Sequence, residues 1–134
     1  MSDCIFCKIV NREVPNYTVH EDADVLAFLD IHPHAHGHTV VIPKSHVESV
    51  TDMSDTDLAQ VMRGVTQAVT RIEHCLHPDG YNIGLNDRRA AGQAVPHFHV
   101  HILPRWLGDG GGSMHSIINN SGEQPVAETA KLFL

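Results

Sequence analysis

The sequence predicts an α+β fold: a five-stranded, mostly antiparallel sheet carrying one long and one short helix. Five short runs rich in Val, Ile, Leu or Phe are separated by turn-forming residues, and only one stretch holds helical periodicity over several turns. A parallel neighbour needs a crossover of about a dozen residues or more, and a single connection here can hold a helix, so most adjacent strands must run antiparallel. The 134 residues make one domain rather than two, and 42% hydrophobic residues against 19% charged are enough for a core. At this size, folding buries roughly two-thirds of the unfolded chain's surface.

Tyr17 to Asp30, YTVHEDADVLAFLD, places two apolar runs around an acidic turn at Glu21 to Asp24, a hairpin. Pro33 and Gly37 break the pattern in HPHAHG, a loop, and His38 to Pro43, HTVVIP, is β-branched and ends on proline, a strand. Ser54 is in capping position, with Asp57 at the third helical place, and Leu58, Val61, Met62, Val65, Val69, Ile72 and Leu76 recur at helical spacing. His77 to Gly80, HPDG, stops that helix; Tyr81 to Leu85 is a strand, Asn86 to Pro96 a polar loop, and His97 to Leu103 the last strand. The domain therefore spans residues 1–107, and residues 108–134 form a tail, with a short helix expected in Val126 to Leu134.

Sixteen acidic against nine basic residues give a net charge of -7, which argues against a nucleic-acid backbone as partner. No apolar run approaches the ~18 residues of a spanning helix, and the opening residues lack a basic leader, so neither a membrane partner nor export is expected and a cytoplasmic location is. Three cysteines are too few for a disulfide framework. The outlier is histidine, with 12 copies, gathered at His32, His34, His36 and His38 and again at His97, His99 and His101.

In HFHVHIL the histidines fall at i, i+2 and i+4, so a strand projects all three imidazoles to one face while Phe98, Val100 and Ile102 enter the core. A solvated face would account for one histidine; three in register point to function. Imidazole, with a pKa of about 6.5, serves both as a neutral nucleophile and as a proton carrier. A metal cluster is the competing functional reading.

Asn86 to Arg105, NDRRAAGQAVPHFHVHILPR, resembles the histidine triad (HIT) superfamily of nucleotide hydrolases and transferases, and Asp30, Gly37, His38 and the VVIPKSH of Val40 to His46 match its first half in order and spacing. The resemblance covers about residues 4 to 105. It implies an antiparallel sheet with two helices, a homodimer whose sheets join into one, and chemistry at a nucleotide's α-phosphate. His99 matches the nucleophile, which is transiently nucleotidylated. His101 matches the histidine beside phosphate and leaving group, and His38 the upstream histidine of the same pocket; both would donate to developing negative charge without magnesium. The resemblance further implies that Asn86 contacts phosphate or leaving group, that Gln93 sits on the loop that wraps the phosphate and belongs to the substrate site, that Asp30 accepts from ribose hydroxyls, and that Phe28 and Ile31 wall the base. Ala94 departs from relatives that carry a hydroxyl there, and Arg88 and Arg89 in the same loop would favour an anionic leaving group.

Cys4-x-x-Cys7 by itself fits a redox pair, two buried thiols or half a metal site. The resemblance implies the last: bacterial members with this start add the histidine after the Ile-Pro-Lys strand and the first triad histidine, here His46 and His97, to close a structural zinc. His32, His34 and His36 are expected at the pocket rim, His20, His74, His77 and His115 in solvent, and Cys75 in the core. The row Met62, Val65, Val69 and Ile72 is the expected dimer contact. The reading is a hydrolase of purine nucleoside 5'-phosphoramidates or related conjugates, acting through nucleotidyl-His99. The alternatives are a dinucleoside polyphosphate hydrolase, a nucleotide-binding regulatory protein and a zinc-storage protein; the intact triad favours catalysis.

Overall fold

The computed structural model describes residues 3–134; Met1 and Ser2, part of the opening stretch read above for a leader, lie outside the described residues. The helices are α1 (Ile5–Val10), α2 (Asp55–Leu76) and α3 (Val126–Ala130), and the strands are β1 (Thr18–Glu21), β2 (Val25–Leu29), β3 (Thr39–Pro43), β4 (Gly80–Gly84) and β5 (Val100–Arg105). All four pairings are antiparallel, in the order β1-β2-β3-β5-β4. The acidic turn closes the first hairpin because the Asp22 carboxylate accepts from the backbone N–H groups of Asp24 and Val25, both at 2.9 Å. Among the described residues no helix is long and apolar enough to cross a membrane.

Strands β2 and β3 are buried on both faces, which explains their nearly unbroken apolar runs. One face, with Val25, Ala27, Val41, Phe98, Val100 and Ile102, packs against Val61, Val65, Ala68 and Ile72 of α2. Each Val, Ile and Phe among them contributes about 1.5–3 kcal/mol on burial. Helix α2 lies so close that a Cβ on Gly64 would come within 2.5 Å of Val25 Cγ1. Ser54 caps it, accepting from the Asp57 N–H at 3.1 Å, and His77 ends it in a left-handed conformation. The opposite face, with Leu26, Phe28, Val40 and Ile42, is covered by Phe6, Ile9 and Val10 of α1.

Three features differ from the sequence reading. Strand β5 begins at Val100, not His97, because Pro43 has no N–H to continue the β3 ladder and its carbonyl is taken by the His97 imidazole, while the Phe98 N–H donates to Val47 O instead. Cys75 is exposed rather than in the core, since the sheet-facing stripe of α2 runs through Ile72. Of the apolar row expected at a dimer contact, Val65 and Ile72 are buried within the chain, leaving Met62 exposed at 53%. Every residue from Leu107 to Leu134 is exposed, α3 included.

Candidate active site and metal centre

Period-two alternation gathers the site on the face away from α2. Asp30 follows Leu26 and Phe28 on that face, His38 precedes Val40 and Ile42, and His99 and His101 project from the neighbouring β5 segment on the other side of β3. Helix α1 covers one part of the face; the histidines occupy the part it leaves open. His99 is 6% exposed, and its Nδ1–H donates to the His97 carbonyl at 2.7 Å. That bond leaves Nε2 of the neutral ring with a free lone pair. Phe6 meets His99 edge-on, ring centres 5.1 Å apart, and His101 stands 4.9 Å away on the other side.

The neighbouring tautomers follow in sequence. The His34 backbone N–H donates to His38 Nδ1 at 3.1 Å, so neutral His38 carries its proton on Nε2 and donates it to His101 Nδ1 at 2.9 Å. His101 is thereby left with Nε2–H as a donor. Burial pushes the His38 pKa down against the opposing pull of Asp30. Burial also lowers His99, partly offset by its bond to the His97 carbonyl. His101 is driven down to about 4 by burial and then by its neighbours His99 and His38. At neutral pH all three rings are therefore uncharged.

Asp30 lies beside this chain: Oδ1 accepts from the His32 N–H at 2.8 Å and Oδ2 lies 3.6 Å from His38 Nε2. Phe28 is buried and packs edge-on against Phe6 at 5.5 Å, whereas Ile31 is 73% exposed at the surface. Asn86 shares a cavity of about 310 Å³ with His34, His38 and His101. Gln93 does not join it. Its amide donates to Glu48 O and Val95 O, its carbonyl accepts from the Arg88 N–H, and it lines a separate depression with Arg88, Arg89 and Ala94.

Among the described residues, two groups of side chains have the composition of a metal site, and their protonation separates them. In the first, Cys4 Sγ lies 3.4 Å from His97 Nδ1, Cys7 Sγ 3.3 Å from His46 Nδ1 and 3.6 Å from His97 Nδ1, and all four ligand atoms fall within 4.8 Å of one another. A tetrahedral ion with bonds of about 2.0–2.3 Å has edges of about 3.3–3.8 Å, so the cluster has the right size for zinc. His97 donates Nε2–H to Pro43 O at 2.8 Å, which turns Nδ1 toward the sulfurs with its lone pair free. The second group, Asp30, His38 and His101, is different. The His34 N–H occupies Nδ1 of His38, so a metal on its Nε2 would demand an imidazolate.

A family model described as HIT domain matches residues 11–106. The chain belongs to the HIT family. It is 51% identical over 107 residues to an uncharacterised HIT-like protein of Methanocaldococcus jannaschii, covering 80% of this chain and 82% of that one. It is 40% identical over 102 residues to the adenosine 5'-monophosphoramidase of Schizosaccharomyces pombe, covering 76% and 74%. Among solved structures, a zinc-bound histidine triad family protein of Mycobacterium smegmatis superposes with a TM-score of 0.74 at 42% identity, covering 81% of this chain and 79% of that one. The five-stranded antiparallel sheet with its flanking helices is thus the HIT fold.

Several residues of this HIT site were not legible in the motif. Phe6, between the two cysteines, packs against both His97 and His99, a contact that requires α1 to fold back on the sheet. The His34 backbone and the Pro43 carbonyl act through main-chain atoms, which residue type does not reveal. Met114 and Ile117 return from the tail to line the His101 cavity. The one available signal was Arg105 and Asp109 at i and i+4 astride a turn, which are joined by two 2.8 Å bonds.

Proposed function

We propose that this HIT protein hydrolyses purine nucleoside 5'-phosphoramidates or related nucleotide conjugates at the α-phosphorus through a nucleotidyl-His99 intermediate. One observation carries the reading: the His99 proton is held on Nδ1 by the His97 carbonyl, leaving Nε2 unprotonated, buried and beside the donor His101. The similarity to an adenosine 5'-monophosphoramidase supports the substrate class. His99 Nε2 bonds to phosphorus as the bond to the leaving nitrogen breaks, and that nitrogen takes a proton from water. The hydroxide so formed attacks phosphorus in turn, cleaves the Nε2–P bond, releases the nucleotide and returns His99 to its neutral form. Net consumption is one water, and no magnesium is required.

His101 donates its Nε2–H to the phosphoryl oxygens as charge builds there, and His38 holds that proton in place by donating its own Nε2–H to His101 Nδ1; Asn86 contacts the phosphate or leaving group, Asp30 accepts from the ribose, and Phe28 and Ile31 flank the base. Gln93 serves the same site by holding the Arg88–Val95 loop in shape. Cys4, Cys7, His46 and His97 hold a structural zinc, whose four protein ligands leave no position for substrate. The working unit is a homodimer. Strand β4 ends the sheet with Ile83 40% exposed, an edge that a second copy would continue. Sedimentation at micromolar concentration should give twice the chain mass, and a fully active monomer would refute the dimer.

The covalent step is tested by quenching the reaction with adenosine 5'-phosphoramidate in alkali, where a phosphoryl–imidazole bond survives, and measuring the intact mass. A nucleotidyl adduct should accumulate in the unaltered protein and be absent from His99→Ala, which still binds nucleotide. Turnover by His99→Ala at a near-normal rate would remove His99 from the reaction.

A further inference from the structure

Arg88 holds a backbone conformation that side chains avoid. At φ 72° and ψ 165° it lies in a region populated almost wholly by glycine, because a Cβ crowds the backbone there. Such a conformation persists only where the surroundings fix it, and here they do. The Arg88 N–H donates to Gln93 Oε1 at 2.7 Å, and its carbonyl accepts from the N–H groups of Ala91 and Gln93 at 3.1 and 3.2 Å. Its guanidinium crosses to the turn that follows β3, donating from Nη2 to Thr51 Oγ1 at 2.9 Å and from Nε to Ser49 Oγ at 3.3 Å.

Asp87 fastens the same two segments. Its carboxylate accepts from the Ser49 hydroxyl at 2.9 Å and from the Val50 N–H at 2.8 Å. Ser49 Oγ is the shared atom: its one proton goes to Asp87, and its lone pairs take the Arg88 Nε–H and the Thr51 N–H. Ser49 is 8% exposed, so the junction is shielded from water. The ion pair between Arg88 and Asp87, 3.4 Å long with the arginine side chain 64% exposed, adds little by itself.

The clamp lies directly behind a residue of the site. Strand β4 ends at Gly84, so Asn86 stands beyond the ladder while it lines the cavity of His38 and His101. The two residues that follow it are the ones tied to the Ser49–Thr51 turn. Arg88 itself lines the separate depression, with its guanidinium turned to the two hydroxyls. We propose that Arg88 is a positioning residue, which with Asp87 clamps this loop to the Ser49–Thr51 turn and so aims Asn86 at the phosphate. The inference rests on the hydrolase reading above, in which Asn86 contacts phosphate or leaving group. Glycine would adopt the same backbone freely but would leave the loop untied.

Two substitutions separate backbone from clamp. Arg88→Ala loses the guanidinium and keeps the strained backbone, whereas Arg88→Gly loses the guanidinium and relieves the strain. Arg88→Ala should therefore melt below the unaltered protein and Arg88→Gly above Arg88→Ala. Both should nevertheless lose about tenfold in kcat on adenosine 5'-phosphoramidate, with KM within about twofold. Recovery of kcat along with the melting temperature in Arg88→Gly would make the residue merely structural and overturn the proposal. In an Asn86→Ala background Arg88→Gly should cost less than about twofold, since the residue it aims is gone; an undiminished tenfold loss would show that Arg88 acts by another route. The Asn86 backbone amide gives a readout without turnover. Its NMR order parameter should fall from about 0.85 toward about 0.6 in both Arg88 variants, and an unchanged value would overturn the clamp. If the unaltered protein turns over no phosphoramidate, the hydrolase reading fails by itself, and the order parameters still decide whether Arg88 fixes Asn86.

Discussion

Replacing Asp30 offers the sharpest test of where the sugar binds. Its carboxylate has about four lone-pair positions. The His32 N–H takes one at 2.8 Å, and Oδ2 lies 3.6 Å from His38 Nε2, beyond a good hydrogen bond. Capacity therefore remains for both hydroxyls of a ribose. Hydrogen bonds to a charged group are worth about 1.5–3 kcal/mol, so Asp30→Ala should reduce kcat/KM for a ribonucleoside phosphoramidate by about tenfold to a hundredfold. The contact is remote from phosphorus and should appear mainly in KM. The variant also frees the His32 turn, a loss of about 1 kcal/mol in stability that must be measured separately by thermal melting. Asp30→Asn separates the two effects, since its amide oxygen can still accept from His32. Steady-state kinetics on ribo and 2'-deoxyribo substrates decide the matter. The deoxy substrate should lose far less, and equal losses on both sugars would show that Asp30 only shapes the loop.

Further outcomes follow from the same structure. Purified protein should contain about one zinc per chain, and chelation should lower the melting temperature; a metal-free preparation with an unchanged melt and reduced Cys4 and Cys7 would exclude the site. Since burial holds the His99 pKa below the ordinary histidine value of about 6.5, kcat/KM should hold on acidification past that value and fall once His99 Nε2 takes a proton; a fall already centred at the ordinary value would contradict a buried, neutral nucleophile. The linked stability has a defined sign. Unfolded His101 binds a proton at about 6.5 and the folded residue at about 4, so its contribution is complete above the first value and lost as pH falls toward the second. A melting temperature that falls across that window as steeply in His101→Asn as in the unaltered protein would contradict its burial as a neutral ring. Gly64→Ala should lower stability by about 1–3 kcal/mol through its clash with Val25, despite the better helix propensity of alanine; a stabilised variant would show that α2 can move away from the sheet.

The parts of the fold that depend on local pattern were legible. The Asp22 turn, the Ser54 cap and the stripe on α2 each announce themselves within a few residues, and alternation put Phe98, Val100 and Ile102 on the helix side as expected. Helix α1 was not legible in periodicity, because six residues span fewer than two turns. The histidine run also read as one uniform strand, yet its three rings have three different fates. His97 turns to the cysteines, His99 is held by a main-chain carbonyl, and His101 joins His38. Those differences arise from partners 60 or more residues away, or from backbone atoms, and no spacing rule encodes them. Gln93 shows the converse: a polar loop residue in a matching position whose amide is consumed by the Val95 carbonyl of its own loop and the Glu48 carbonyl of the segment after β3.

His97 serves two neighbours with different parts of itself. Its ring faces Cys4 and Cys7, while its carbonyl holds the proton of His99. The first role belongs to the side chain and can be lost by substitution; the second belongs to the peptide and is carried by whichever amino acid occupies the position. Mutational scanning would therefore score position 97 by its effect on folding and metal content alone. The feature that sets the nucleophile's reactive nitrogen would leave no trace in such a scan, and only a change to the backbone, such as replacing the 97–98 amide with an ester, would expose it.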